Sequence, residues 1–587
     1  MTDGIWRFVP VLAITVHVVV VGWSVFETSA TVNEAAHLAA GLATLENGRT
    51  DIYRVNPPIA RTLAAAGTSR FNPALPPLPG PVIASDRPEW MFAQNFMYAN
   101  GPAVIDLFRW GRLTLLPFTC LGAVITFLWA KDLSGPKAGL IACVLWCFSP
   151  NIIAHASLIT PDLTVTSLFL TSCYFLKNWL QRAAIESALA CGLFLGLALV
   201  AKFSALLLLI IFPVCWGLSC FLSRQHKQRP IQGLFQLCSI ILIAIWIVNV
   251  TFAFKGTLQP LGQYSFISET FSGEILDAGA TANRFHDSIL GFLPVPVPEQ
   301  YLLGLDQQLQ DVQAPWSCYL DGEWQTGGWS SFYARAFFYK VPEGTLLLLG
   351  VTAACWLSGI RLTLVDTLLL VLPASTLFLA VSLKTTMTIH FRYILPCLPF
   401  IYILIAATIS SITLRWCRLL VHACLTATVV SSLSQCPHSL AYFNKLSGGP
   451  AAGHHHLLDS NLDWGQDTIR LADWYLENPH LRPLFVRITM GIDPRILGIE
   501  AQEIPLDPHC GSGFPGSRGP VRPGWYAISA NYLFNRRSTY HYLQRMDRVG
   551  FIGRSIHLFY VSPDDANRVN RDTDNSVPTK RTAFSSD

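Results

Sequence analysis

Residues 184–222 read AIESALACGLFLGLALVAKFSALLLLIIFPVCWGLSCFL. Two apolar runs, 184–201 and 203–222, meet at Lys202 with almost no loop between them. A bilayer's hydrocarbon core of about 30 Å takes about 20 apolar residues as a helix, so each run is of spanning length. A lysine at such a junction is costly unless its stem carries the ammonium to the interface or an anion meets it there.

The same pattern recurs along the chain. Further runs lie at roughly 8–26, 108–130, 136–150, 160–176, 233–254, 343–360, 365–383, 391–410 and 414–434. That makes about eleven spans, two of them (136–150 and 160–176) short. Composition agrees: the 587 residues are 51% hydrophobic and 13% charged, against about 25% charged in an average soluble protein. A net charge of +4 provides no basic field for nucleic acid. Most of the 15 cysteines sit in apolar runs, where they act as small hydrophobes. Cys318, Cys436 and Cys510 fall in aqueous segments, and a disulfide between two of them stays open. The first run follows Arg7 but has no small-residue cleavage site after it, so it reads as an uncleaved helix.

Positive residues set the orientation. With the N-terminus inside, the short inner loops carry Lys131 and Lys137, Lys177 and Arg182, Arg224, Lys227 and Arg229, Arg361, then Arg415 and Arg418. The long polar segments 27–107 and 255–342, and everything after 434, then fall outside. The expected fold is therefore mostly α: a polytopic helix bundle over 1–434, followed by an extracytoplasmic α/β domain over 435–563. Short alternating strands at 484–489, 525–529 and 557–561 and a helix at 466–475 support that domain. The polar stretch 564–587 reads as a disordered tail. In the first outer segment Thr31 or Asn33 caps a helix running to about Leu45, and Asn56-Pro57-Pro58 breaks the chain before a second helix at 59–66.

Four charged residues share a predicted depth at the outer surface: Glu34, Asp162, Lys202 and Arg392. Carboxylates beside apolar residues at a membrane-proximal helix end are desolvated and become usable bases. Asp162 follows Pro161 at a helix start, where it also suits simple stabilisation by the helix dipole. Cations on the outer side, against the positive-inside bias, suit a phosphate. Glu34 and His37, at i and i+3, share a helical face and could hold a cation together. His454-His455-His456 invites a metal, but three adjacent side chains point in different directions, and the expected metal-ligand set is none.

The stretches 32–41, 53–63, 148–162, 201–206, 391–399 and 442–465, with Asp459-Ser460-Asn461-Leu462-Asp463-Trp464-Gly465-Gln466-Asp467, together resemble the family 39 glycosyltransferases of the GT-C class. That family includes protein O-mannosyltransferases and the lipid A aminoarabinose transferase, and the chain resembles its large bacterial branch. The resemblance implies an enzyme of the bacterial inner membrane that moves a sugar from a polyprenyl-phosphate carrier to a hydroxyl of a protein, lipid or glycan outside the cytoplasm. It implies Lys202 and Arg392 at the phosphate, with His37, His155, Tyr393, Asp459 and Asp463 as further substrate-binding residues. It implies no firm cofactor and leaves room for a divalent metal. The family's first-loop motif begins Asp-Glu, whereas this chain has Asn33-Glu34. An amide cannot take a proton, so the base role is expected of Glu34, with Asp162 as orienting acid and Asn33 as hydrogen-bond donor. The competing readings are a transporter or flippase, and a non-catalytic glycolipid-binding protein.

Overall fold

The computed structural model describes residues 5–222, 230–277, 279–507 and 516–574. Each of the eleven expected spans is helical. The helices are Ile5–Glu27, Leu116–Ser134, Pro136–Cys147, Pro161–Arg182, Ile185–Leu199, Leu208–Leu222, Pro230–Thr251, Glu343–Leu357, Leu364–Lys384, Leu398–Ile409 and Arg415–Leu433. Among the described residues seven helical stretches are long and apolar enough to cross a membrane. An eighth is counted if Pro136–Cys147 and Pro150–Ala156, bent by 60°, form one broken span. The chain is thus an integral membrane protein. The second expected span starts later than its hydropathy suggests, because the chain breaks at Thr114 between the helices Val104–Leu113 and Leu116–Ser134. The inner-loop cations Arg224, Lys227 and Arg229 lie outside the described residues.

Position in the bundle explains which helices look apolar. Pro230–Thr251 presents Ile231, Leu234, Phe235, Leu242 and Trp246 outward, a stripe suited to lipid. Pro161–Arg182 is different, being buried along almost its whole length, and it carries threonines and serines. Two of its hydroxyls are satisfied within the helix, Thr166 donating to the Asp162 carbonyl at 2.7 Å and Thr171 to that of Ser167 at 2.6 Å, while Ser172 donates to the Cys191 carbonyl of the next helix at 3.5 Å. A central helix shielded by its neighbours needs no lipid-facing surface, so its low hydropathy is compatible with its place.

The outer segments cover one end of the bundle. Thr31 caps the helix Val32–Asn47, and Ile59–Thr68 follows it. The second segment supplies the helix Glu299–Gln313 and a hairpin of β1 (Ser317–Leu320) and β2 (Glu323–Thr326). The C-terminal region contains β3 (Leu484–Arg487), β4 (Gln502–Glu503), β5 (Gly524–Ser529), β6 (Arg548–Ile552) and β7 (Ile556–Val561), ordered β4-β3-β5-β7-β6. β3 runs parallel to β4 and β5, while β7 is antiparallel to β5 and β6. The helix Thr468–Glu477 lays Leu471 and Tyr475 on one face of this sheet.

Two expectations change. The stretch expected to be disordered from 564 onward begins as a helix, Pro563–Asp574, started by Ser562, whose hydroxyl exchanges hydrogen bonds with Asp565. Residues 575–587 lie outside the described residues. Cys318 and Cys436 are free thiols, not disulfide partners of one another, and Cys510 lies outside the described residues.

The C-terminal domain is tied to the first outer segment by backbone contacts. Ser29 N–H donates to the Gln466 carbonyl at 2.9 Å and Val32 N–H to the Trp464 carbonyl at 3.0 Å. Gly491 passes so close that a Cβ there would lie 1.7 Å from the Ala30 carbonyl oxygen. Any larger residue would push two backbones apart.

Candidate active site

Between the outer segments and the C-terminal domain lies a cavity of about 580 Å³. Asn33 and His37 reach it from the helix Val32–Asn47, and Asp162 from the start of Pro161–Arg182. Lys202 comes from the break between two apolar helices, and Arg392 and Tyr393 from the 3₁₀ turn Phe391–Cys397. Asp459 and Asp463 come from the C-terminal region. Eight of the ten residues singled out in the sequence therefore line one cavity.

Its charged centre is a triad. Lys202 Nζ donates to Asp162 Oδ1 at 2.6 Å, and Arg392 Nε lies 3.7 Å from Asp162 Oδ2. Aromatic faces flank both cations: Lys202 Nζ is 4.7 Å from the Tyr393 ring centre, and the Arg392 guanidinium 4.1 Å from that of Trp464. Such faces favour a cation in a partly dry site without neutralising it. The segment after Leu458 fixes this wall. Arg392 Nη1 donates to Ser460 Oγ at 2.5 Å, and Phe391 N–H to Asn461 Oδ1 at 2.8 Å. His390 Nδ1 lies 2.8 Å from Ser460 Oγ and 3.2 Å from Asp459 Oδ1, and burial lowers the imidazole to about 4, which makes it neutral at ordinary pH. Two cations thus converge on the one carboxylate of Asp162, which leaves positive charge at this point of the wall. That is how proteins hold a phosphate.

Glu34 is not part of this cavity, which corrects its assignment as base. Its side chain is fully buried against Arg112. Oε1 accepts from Arg112 Nε at 2.8 Å and from Ile159 N–H at 2.7 Å. Oε2 accepts from Arg112 Nη2 at 2.7 Å, from Thr31 N–H at 2.8 Å and from the Thr31 hydroxyl at 3.1 Å. A carboxylate offers about four acceptor positions, and five donors occupy them. Glu34 therefore closes the capping box of its helix and braces the turn at Ile159, three residues before Asp162. The same geometry removes the proposed Glu34–His37 cation site: His37 faces the cavity and packs on Tyr53 at 4.6 Å, while Glu34 is committed elsewhere.

His155 also misses the cavity. It sits in a separate crevice of about 10 Å³ with Asn151, Lys340 and Ser460, behind Arg392. The three adjacent histidines do not all diverge: the His454 and His455 rings lie 4.1 Å apart, His454 also stacks on Phe534 at 4.4 Å, and only His456 turns away, stacking on Tyr339 at 4.2 Å and meeting Asp321 at 3.0 Å. Among the described residues no group of three His, Cys, Asp or Glu side chains is arranged to hold a metal.

A second, apolar cavity of about 280 Å³ shares Lys202, Gln308, Arg392 and Tyr393 with the first. Its other walls include Val165, Leu207, Leu305, Leu309, Leu377 and Val381. A polar chamber thus opens into a greasy groove, and the two cations stand at the junction. Sequence reasoning missed the Arg87–Asp311 pair (2.8 Å), which lines the polar chamber, and Trp90, Trp316, Thr489 and Asn531 beside it. They are scattered over both outer segments and the C-terminal domain with no charge pattern of their own, and only the fold brings them together.

A family model described as dolichyl-phosphate-mannose-protein mannosyltransferase matches residues 111–251, a stretch that contains both Asp162 and Lys202. The resemblance noted from the sequence is met there by an independent match. No curated protein matches the chain. Among solved structures, ArnT from Cupriavidus metallidurans bound to undecaprenyl phosphate aligns at 14% identity over 93% of this chain and 97% of its own, with a TM-score of 0.46. The same protein in the apo state aligns at 14% identity over the same shares, with a TM-score of 0.45. The Archaeoglobus fulgidus oligosaccharyltransferase, in complex with zinc and sulfate, aligns at 11% identity over 80% of this chain and 55% of its own, with a TM-score of 0.40.

Proposed function

We propose that this chain is a membrane glycosyltransferase that takes a sugar from a polyprenyl-phosphate carrier and transfers it to a hydroxyl of a protein, lipid or glycan. The observation that carries this reading is the position of Lys202 and Arg392 at the junction of a polar chamber with an apolar groove. A sugar linked to a lipid phosphate has that same division: a prenyl tail for the groove, a phosphate at the junction and a sugar in the chamber. The family match over residues 111–251 supports the same donor class.

In the reaction the bond between the sugar's anomeric carbon and the phosphate oxygen breaks, and charge builds on the departing phosphate. Lys202 and Arg392 stabilise that charge where it develops. Asp162 holds both cations in place and keeps the empty site from carrying two unpaired positive charges. Asn33, at the chamber wall, is placed to hydrogen-bond the sugar or the acceptor. The chamber faces the outer side of the inner membrane, in accord with the lysine and arginine bias of the opposite loops.

The test has two arms. Trp90, Trp316 and Trp464 line the chamber, so undecaprenyl phosphate should change the tryptophan fluorescence of the purified protein in detergent. Mass spectrometry of envelope glycans and glycoproteins should show a sugar-bearing species that disappears when the gene is deleted. An unchanged envelope would rule out the reading, and undecaprenyl phosphate binding beside it would point instead to a non-catalytic glycolipid-binding protein.

A further inference from the structure

We infer that Asp463, in the C-terminal domain, is the proton acceptor for the incoming hydroxyl. This rests on the glycosyltransferase reading above and adds to it a residue in place of the carboxylate that Asn33 lacks. Four carboxylates line the chamber. Asp162 is committed to Lys202 and Arg392, Asp311 to Arg87, and Asp459 lies against His390. Among the described residues Asp463 alone of the four has no Lys, Arg or His within ion-pair distance. Its Oδ2 accepts from the Thr489 hydroxyl at 2.7 Å, and its Oδ1 accepts a long bond of 3.3 Å from Gly465 N–H. Acceptor capacity therefore remains on this carboxylate, in contrast to Glu34 with its five donors.

Position supports the same role. Trp464, the next residue, offers its carbonyl to Val32 N–H at 3.0 Å, and Val32 precedes Asn33. Asp463 and Asn33 thus stand on adjoining parts of one wall. Trp464 also lies over Arg392, so the carboxylate is one residue from the group that faces the phosphate. The Asp463 wall is held firmly: Asn531 donates to the Asp463 carbonyl at 2.8 Å and contacts the Thr489 hydroxyl at 3.2 Å. Burial pushes the Asp463 carboxyl up to about 6, hydroxyls of Ser529 and Thr489 and the Gly465 N–H temper the rise, and the Asp467 charge adds to it. A base tuned near the working pH is more effective than an ordinary aspartate.

The acceptor oxygen forms a bond to the anomeric carbon, the carbon–phosphate-oxygen bond breaks with its electron pair leaving on polyprenyl phosphate, and the acceptor proton passes to an Asp463 carboxylate oxygen. No oxidant or further reactant is needed.

The experiment uses the full-length protein in membranes of the gene-deletion strain, and its product is the envelope species that depends on the gene. Asp463→Asn should slow the initial rate of product formation by about 10²–10⁴-fold, while the purified variant binds undecaprenyl phosphate as the wild type does. Asp463→Glu should recover part of the rate. Wild-type rates in Asp463→Asn would overturn the inference and leave the glycosyltransferase reading standing. Loss of undecaprenyl phosphate binding in Asp463→Asn would also overturn it, since the residue would then serve the architecture of the site. If the wild-type gene itself gives no product, the glycosyltransferase reading fails and this inference fails with it.

Discussion

Replacing Glu34 should unfold the protein before it says anything about catalysis. In Glu34→Ala the Arg112 guanidinium stays in a position where its side chain is 1% exposed. It keeps carbonyl partners at Val25, Thr28 and Ser29 but loses its only carboxylate. Removing one partner of a buried ion pair costs about 3–5 kcal/mol. The Ile159 and Thr31 N–H groups lose their acceptor as well, at about 1–3 kcal/mol for each that stays dry. Set against a typical net stability of about 5–15 kcal/mol, the sum removes a large part of it and should lower the melting temperature steeply. Glu34→Gln should fall between, because its amide NH₂ turns a donor toward Arg112. Heating the detergent-solubilised protein and following the monodisperse fraction by size exclusion measures this directly. Adding Arg112→Met to Glu34→Ala should raise the melting temperature relative to Glu34→Ala alone, because the stranded charge is gone. A Glu34→Gln protein that melts with the wild type and binds undecaprenyl phosphate, yet has lost turnover, would refute this reasoning and return the residue to the reaction.

Three further outcomes are expected. Lys202→Met should weaken undecaprenyl phosphate binding by roughly 10–100-fold, since a charge-assisted hydrogen bond contributes about 1.5–3 kcal/mol; unchanged fluorescence titration would place the phosphate elsewhere. Leu309→Trp, in the apolar groove, should impair binding of undecaprenyl phosphate more than that of a short isoprenyl phosphate, and equal effects on the two would mean that the tail does not lie there. The rate should rise with pH through about 6 as Asp463 ionises, and a rate level from about pH 5 to about pH 8 would contradict a base of that kind. Stability should move the other way. The folded carboxyl, raised from 3.8 to about 6, binds more protons than the unfolded one between those values, so its stabilising contribution is present below about 4 and is lost as pH climbs through about 6.

The membrane architecture was legible because lipid imposes a length and an apolarity that any helix crossing it must meet. Lys202 and Arg392 were legible for the complementary reason: a cation beside apolar helices on the outer side has to be explained by a partner. Glu34 shows where such reasoning stops. A carboxylate followed by two alanines at a helix start looks the same in sequence whether it faces a cavity or a buried arginine 78 positions away. Arg112 decided the matter, and nothing in its local sequence marks it as the partner. Asn33 and Glu34 are adjacent on one helix turn, and only the helix's rotation sends the first to the chamber and the second inward. Three of the five strands of the C-terminal sheet could be read from their alternation, while β4, β6 and the order β4-β3-β5-β7-β6 could not, because pairing depends on non-local contacts.

The C-terminal domain changes meaning once these contacts are in place. In sequence the stretch from Asp459 to Asp467 suits a helix start as well as a binding surface. In the structure it does both, and the two roles fall on different residues. Asp467 precedes the helix Thr468–Glu477 and takes the N–H groups of Arg554 and Ser555 at 2.9 and 3.0 Å, which ties that helix to the turn between β6 and β7. With Asp467 committed to architecture, Ser460, Asp463 and Trp464 are left to face the membrane part. Ser460 and Trp464 hold Arg392 from two sides, and Arg392 lies beside Asp162, which lies beside Lys202. The Lys202 and Arg392 end of the site is therefore continuous, through side chains in contact, with the C-terminal domain. Removing that domain would leave Arg392 without its aromatic face and its serine, and would open the chamber to water, which weakens every charge interaction in it. A glycosyltransferase built this way needs its C-terminal domain for the chemistry as well as for any acceptor it recruits.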